Sequence, residues 1–332
     1  MHEGNGVLDP FDLTRKIRVA LAPCRLGTWP TPLEPALALG EANGLRGLWI
    51  KREDASSIVY GGSKVRGLEF LFAGAAPGTV FVTLGGTGST HCLATAVHAA
   101  ALTHRTVLAQ FPQPATESAQ AVAAACQRAA TRVVRARWRP SLPLAVARAW
   151  LTAQGLGSPR WIPGGGAHPR GVVGHFLAAL ELAHQLADAP DAIVVPLGSG
   201  GTAAGLALAM RALGWSTRVV AVRVAPAIVA NRWRVNALAR GAARLLTRLD
   251  ASLQVSDSES VMVVDGIGAG YGHPSAPGEV ARGLAATHGL MLEPTYGAKA
   301  FATLPALAAR GFRRVVFWHT FALPPHVLER SA

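Results

Sequence analysis

Lysine is scarce in this chain, and one of its four copies, Lys64, closes the run Gly61-Gly62-Ser63-Lys64 just before a helix-like stretch at 65–75. A lysine at a glycine-flanked helix start can neutralise an anion, or it can be a buried amine with a depressed pKa, fit to form a Schiff base. A plain surface lysine fits the same spacing. A second motif, Gly198-Ser199-Gly200-Gly201-Thr202, follows the apolar run 193–197 and precedes an alanine-rich helix. Glycines let backbone N–H groups approach an anion closely, and the helix N-terminus adds partial positive charge, so this loop suits one bound phosphate. GxxxxGK and GxGxxG spacings are absent, which argues against a nucleoside triphosphate. A third motif runs from Gly85 to His91 and sets Ser89 and Thr90 at a helix start, where hydroxyls and free N–H groups suit a carboxylate or a second anion. An ordinary helix N-cap is the plainer alternative there. His91 and His98 stand seven apart with no acidic or cysteine ligands at matching spacing nearby, which weighs against a metal site.

Positioning such residues takes a scaffold, and the hydropathy pattern supplies one. Short β-rich runs at 48–51, 79–84, 106–111, 132–135, 192–197, 217–224, 261–265 and 314–319 alternate with helix-like stretches. The helices are expected at 65–75, 90–102, 117–130, 142–153, 171–187, 202–213, 226–248, 276–288 and 298–309, with Thr116 as an N-cap. Strands separated by 10–15-residue helices predict βαβ units and doubly wound parallel sheets, whose ligands bind at the carboxyl ends of the strands. All three motifs fall at such junctions. The only seams in the middle are the glycine-rich 163–166 and the 189–191 turn, so a second domain is expected as an insertion.

Length and composition bound the function classes. The chain has 332 residues, half of them apolar and 15% charged, with a mean hydropathy of +0.28, which excludes wholesale disorder. No apolar run approaches the roughly 20 residues of a spanning helix, and the first 20 residues lack the apolar core of a signal peptide. Cys24, Cys92 and Cys126 form an odd set without CxxC spacing, which fits a reducing cytoplasm rather than a disulfide framework or zinc. The net charge of +13 comes with 28 arginines. Locally basic stretches at 128–139 and 232–248 could serve a nucleic acid, but they read as solvated faces of alanine-rich helices, so no nucleic-acid partner is expected.

Taken in order, Lys51-Arg52-Glu53-Asp54, Gly61-Gly62-Ser63-Lys64-Val65-Arg66, Ser89-Thr90-His91, Gly198–Thr202, Tyr271-Gly272-His273-Pro274, Glu293-Pro294-Thr295-Tyr296 and His319-Thr320 resemble the 1-aminocyclopropane-1-carboxylate deaminase/D-cysteine desulfhydrase family. The resemblance runs from about Thr28 to Thr320. It implies a fold of the tryptophan-synthase-β type (fold type II), with two three-layer α/β/α domains and pyridoxal 5'-phosphate in the cleft. Residues 1–61 plus 171–332 would form the large domain and 62–170 the inserted small one. Lys64 would carry the cofactor and move the Cα proton of a small amino acid, and Gly198, Ser199, Gly200, Gly201 and Thr202 would cradle the phosphate. Ser89, Thr90 and His91 would line the substrate-carboxylate pocket, with Thr90 also near the cofactor and Ser89 placed to handle a proton. Tyr271 and Tyr296 match the two active-site tyrosines, and the chain has only three tyrosines. Thr320 matches the position facing the pyridine nitrogen in desulfhydrase-like members. A homodimer is implied as well.

The chain departs from the family pattern at several points. Ser63 and Thr90 stand where members usually have asparagine, Gly297 where deaminases proper carry glutamate, and Phe321-Ala322 where two glycines follow the threonine. Gly297 and Thr320 together tell against cyclopropane ring opening. The expected reaction is therefore β-elimination to a 2-oxo acid and ammonia. β-Replacement and cofactor binding without turnover are the alternatives.

Overall fold

The computed structural model describes residues 9–251, 253 and 261–320. The chain opens with α1 (Pro10–Leu21), then β1 (Leu33–Pro35), α2 (Leu37–Glu41), β2 (Gly47–Arg52) and α3 (Lys64–Phe72). Next come β3 (Thr79–Gly86), α4 (Thr90–Ala101), β4 (Arg105–Phe111), α5 (Glu117–Ala129), β5 (Arg132–Arg135), α6 (Leu142–Gln154) and β6 (Ser158–Trp161). The last stretch runs α7 (Pro169–Gln185), β7 (Ala192–Leu197), α8 (Gly201–Ala212), β8 (Arg218–Arg223), α9 (Arg232–Leu249) and β9 (Val261–Asp265). It ends with α10 (Ala276–Thr287), α11 (Gly297–Phe301), α12 (Leu304–Ala309) and β10 (Arg314–His319).

Among the described residues, ten strands form two sheets. One has the order β1-β2-β10-β7-β8-β9, parallel except for β1, and the other the order β5-β4-β3-β6, parallel throughout. Parallel strands covered on both faces must be apolar along their whole length, and every residue of β7 is buried. Around the six-stranded sheet, one core gathers Ile17, Phe176, Leu206 and Leu246 from α1, α7, α8 and α9. The other face packs Leu39, Ala285, Phe301 and Leu307 from α2, α10, α11 and α12. The four-stranded sheet is covered by Leu93 and Val122 from α4 and α5 on one side and by Ala149 and Ala153 from α6 on the other. Both sheets are thus three-layered, as the resemblance implies.

Pairing of β7 with β10 runs only to Val194↔Phe317, so Pro196, which has no N–H to donate, faces an opening at the carboxyl end of the strand. Strand order reverses at β7, the kind of crevice where doubly wound sheets bind ligands. Three helices converge on it through glycines. A Cβ on Gly174 of α7 would lie 2.0 Å from the Arg66 carbonyl oxygen of α3, and one on Gly205 of α8 would lie 2.5 Å from His175 Cβ of α7. Backbones in that proximity bring the N-termini of α3 and α8 to one place.

Strands β5, β7, β9 and β10 have the limits that the sequence predicts, and Thr116 caps α5 by accepting from Ala119 N. Two helices differ. The stretch at 226–248 becomes helical only at Arg232, because Asn231 accepts from Arg234 N and caps it there. The stretch at 298–309 is two short helices, broken before Pro305 in the first turn of α12. The hydropathy pattern gives no warning of α1, α2, β1 or β6. Phe321 and Ala322 lie outside the described residues.

Candidate active site

Lys64, Ser89, Ser199 and Tyr271 stand at strand-to-helix connections, whereas Tyr296 lies between α10 and α11 and Thr320 follows β10. After β7, Gly200 adopts φ +94°, a left-handed turn that glycine enters without strain, and α8 begins at Gly201. The N–H groups of Ser199, Gly200, Gly201 and Thr202 have no backbone acceptor among the described residues, which leaves a concave set of donors at a helix N-terminus. Gly198, Ser199 and Thr202 line a cavity of about 590 Å³; Gly200 and Gly201 form the turn behind them. After β3, Ser89 caps α4 through Oγ, which accepts from Cys92 N at 3.3 Å. The N–H groups of Thr90 and His91 lack acceptors among the described residues, and all three residues line the same cavity. Two helix N-termini, one from each sheet, therefore open into one space.

Lys64 is the first residue of α3 and lines that space too. Its Nζ donates to Gly165 O at 3.3 Å, and no carboxylate lines the cavity among the described residues. Burial without a counter-ion pushes its pKa down to about 8. Gly165 is a site residue that the sequence reading passed over as a seam. Its φ is +69°, and a Cβ there would reach 2.2 Å from Ser199 Oγ and 4.0 Å from Lys64 Nζ. A glycine-rich run placed just before a helix was the available signal.

His91 is neutral. Thr83 Oγ1 donates to Ile162 O at 2.8 Å, so its lone pair accepts from His91 Nε2 at 2.9 Å and the ring proton sits on Nε2. Nδ1 is then an acceptor, with no hydrogen-bond partner among the described residues. Burial, reinforced by the Lys64 charge, holds the ring pKa down at about 3. Across the cavity the Tyr271 and Tyr296 hydroxyls are 2.8 Å apart, and burial raises both phenols above their usual range, so both stay protonated at neutral pH. Glu293 fixes Tyr296 by accepting from the N–H groups of Thr295, Tyr296 and Gly297. Thr320 lines the cavity as well, and its carbonyl accepts from Ser63 N at 2.8 Å, which ties the end of β10 to the start of α3.

Beneath α3 lies a buried ion network. Arg66 donates to both oxygens of Glu53, at 2.7 and 2.8 Å, and to both oxygens of Glu181, each at 2.9 Å. Lys51 joins Glu181 and also donates to Thr31 O at 2.9 Å. The network clamps α3 to β2 and α7 two residues from Lys64. Among the described residues no cluster of His, Cys, Asp and Glu suits a metal ion, and no helix is long and apolar enough to cross a membrane.

The donor set has a definite chemical meaning. It offers an anion cradle at α8, a poorly solvated amine at Lys64 and a second anion site at α4. A phosphorylated aldehyde meets the first two and an amino-acid carboxylate the third, so the residues present fit pyridoxal phosphate.

Comparison with known proteins agrees. The chain matches the family described as "Pyridoxal-phosphate dependent enzyme" over residues 24–320. It is 32% identical over 320 residues to a D-cysteine desulfhydrase of Salmonella choleraesuis, covering 90% of this chain and 95% of the relative. Among solved structures it resembles an "ACC deaminase homologue" with a TM-score of 0.80 and 27% identity, covering 93% of this chain and 95% of that one. A threonine deaminase isoform from Solanum lycopersicum shares the fold at a TM-score of 0.65 and 18% identity, covering 97% of this chain and 89% of that one. The chain belongs to the pyridoxal-phosphate-dependent enzymes. Within them it stands with the lyases and deaminases.

Proposed function

We propose that the chain catalyses β-elimination on a small β-substituted amino acid of the D-cysteine type, releasing a 2-oxo acid and ammonia. The observation that carries this reading is Lys64, a half-buried amine without a counter-ion, set between two groups of helix N-terminal donors that have no backbone acceptor among the described residues. Pyridoxal phosphate, when bound, supplies an electron sink that acidifies the Cα–H bond of an attached amino acid. Gly198–Thr202 would hold its phosphate through backbone donors, with Thr90 and Thr320 on the same cavity wall. Lys64 Nζ would hold the cofactor, and the same amine would take the Cα proton of the substrate. The Ser89 hydroxyl and the free N–H groups of Thr90 and His91 orient the substrate carboxylate. His91 itself offers an acceptor at Nδ1. The protonated Tyr271–Tyr296 pair is the proton source for the leaving group, and a thiolate leaving from Cβ takes that proton.

The same reading divides the chain into a large unit, 1–61 plus 171–332, and a small inserted unit, 62–170. It also makes the protein a cytoplasmic homodimer without a nucleic-acid partner. The test is the visible absorbance of the purified protein with added pyridoxal phosphate, beside a Lys64→Ala variant. A band present in the wild type, absent in the variant and shifted by D-cysteine with pyruvate release supports the reading. Wild type without a band even in excess cofactor ends it.

A further inference from the structure

The cavity extends to an outer rim with its own chemistry. Lys64, Arg139 and Arg234 bring three cations to its wall, against no carboxylate among the described residues. Two of them are already engaged. Lys64 binds the cofactor, and Arg234 Nε donates to Ser199 O at 3.1 Å, within the phosphate loop. Arg139 has no such task. Its guanidinium makes no hydrogen bond or ion pair among the described residues and rests 5.9 Å from the Phe111 ring centroid, itself part of the wall.

Arg139 sits among apolar side chains that face solvent. Leu142 lines the cavity beside it, and Ile228 and Val229 line it from the β8–α9 connection. Ile228 is 85% exposed and Val229 39%, while Trp138, the neighbour of Arg139, is 53% exposed. Large apolar groups held in water around a cavity mouth mark a surface that contacts something apolar. An arginine among them adds an anion requirement, because its planar fork matches a carboxylate or a sulfonate.

We propose that Arg139 and this apolar rim select the β-substituent, so that the substrate class is a thioether conjugate of cysteine whose sulfur-linked arm is partly apolar and ends in an acidic group. The proposal rests on the elimination reading and adds the arm. The balance is simple. The Cβ–S bond breaks, its electron pair leaves on sulfur, and that sulfur takes a proton to become a free thiol. One water is consumed, and the three-carbon remainder leaves as pyruvate and ammonium. The amine and carboxylate of the cysteine part occupy the inner site, and the arm runs outward past Phe111 and Leu142 to Arg139.

The experiment compares D-cysteine, S-benzyl-D-cysteine and S-(4-carboxybenzyl)-D-cysteine on the cofactor-loaded protein, as wild type, Arg139→Ala, Arg139→Lys and Arg139→Glu. Two readouts are taken: kcat/KM for pyruvate release, and Kd from the change in cofactor absorbance on titration. In the wild type the carboxybenzyl conjugate should exceed the benzyl conjugate at least tenfold in both. That ratio should collapse towards one in Arg139→Ala, recover in part in Arg139→Lys and invert in Arg139→Glu. A wild-type ratio near one overturns the proposal. So does an equal loss on all three substrates in Arg139→Ala, which would place the arginine on the common carboxylate or on the fold. Turnover of D-cysteine with neither conjugate bound refutes the arm while elimination stands. If none of the three is turned over, the elimination reading fails, and the Kd ratio still decides what Arg139 recognises.

Discussion

Lys64 titrates in a window that no other group at the site shares, and this makes its role measurable. Its folded pKa is about 8, against 10.5 in the unfolded chain, because burial disfavours the ammonium form. Only the neutral amine attacks an aldehyde. The rate at which cofactor-free protein captures pyridoxal phosphate should therefore rise about tenfold per pH unit below pH 8 and level off above it. The stability sign follows from the same shift. Between pH 8 and 10.5 the unfolded chain holds a proton on this lysine that the folded chain has released, so cofactor-free protein gains stability from this group as pH rises. His91, at about 3, and the two tyrosines, held above their usual range, leave that window to Lys64. Stopped-flow absorbance from pH 6 to 9.5 checks the profile. A flat rate, or a midpoint near 10.5, would show that the amine is solvated and that the cavity does not tune it. Residue types in motif order were enough to find this lysine in the sequence, and the same holds for Gly198–Thr202 and the two tyrosines. The tautomer of His91 was not legible, because it depends on Thr83 and on the carbonyl of Ile162, groups that no local pattern joins to it.

The elements were legible where hydrophobic periodicity alone decides them. Buried parallel strands such as β7 and β10 are continuous apolar runs and declare themselves. The start of α9 is set by one capping side chain, Asn231, inside a stretch that is helix-compatible on both sides, so composition placed it too early. The clamp on α3 was illegible for a different reason. Lys51, Glu53, Arg66 and Glu181 are spread over 130 positions and meet only when β2, α3 and α7 pack. This gives a prediction at the scale of the element. Arg66→Met removes the shared partner of the buried Glu53 and the partly buried Glu181 and should cost about 3–5 kcal/mol of stability. Arg282→Ala breaks an exposed pair with Glu279 on α10 and should cost about 1 kcal/mol at most. Urea titration of both variants measures the contrast, and cofactor titration of Arg66→Met under native conditions should show weaker binding, because Lys64 begins the helix that Arg66 anchors. Equal midpoints for the two variants would mean that the network does not hold α3.

At the scale of the whole molecule, the site belongs to neither sheet alone. The glycine loop 198–202, Tyr271 and Tyr296 come with the six-stranded sheet, whereas Ser89, Thr90, Arg139 and Leu142 come with the four-stranded one. Chemistry that needs both sets must control the gap between them, and the exposed apolar groups on the two rims are what a closing movement would cover. Water excluded in this way strengthens each charge interaction inside and protects the Cα proton transfer from solvent. Hydrogen exchange followed with cofactor alone and then with cofactor plus a bound amino acid should show slowing in two places, residues 139–144 and 226–234. The centres of β3 and β7, already buried in both sheets, should not respond. Slowing spread evenly over both sheets would indicate general stabilisation by ligand. No slowing at either rim would mean that the cavity works open, and the apolar rim would then have the substrate arm as its sole occupant. The pattern of protection thus separates a gate from a binding surface. If D-cysteine alone slows exchange at both rims, an amino acid without an arm drives the gate, and any further slowing with the benzyl conjugate belongs to the arm.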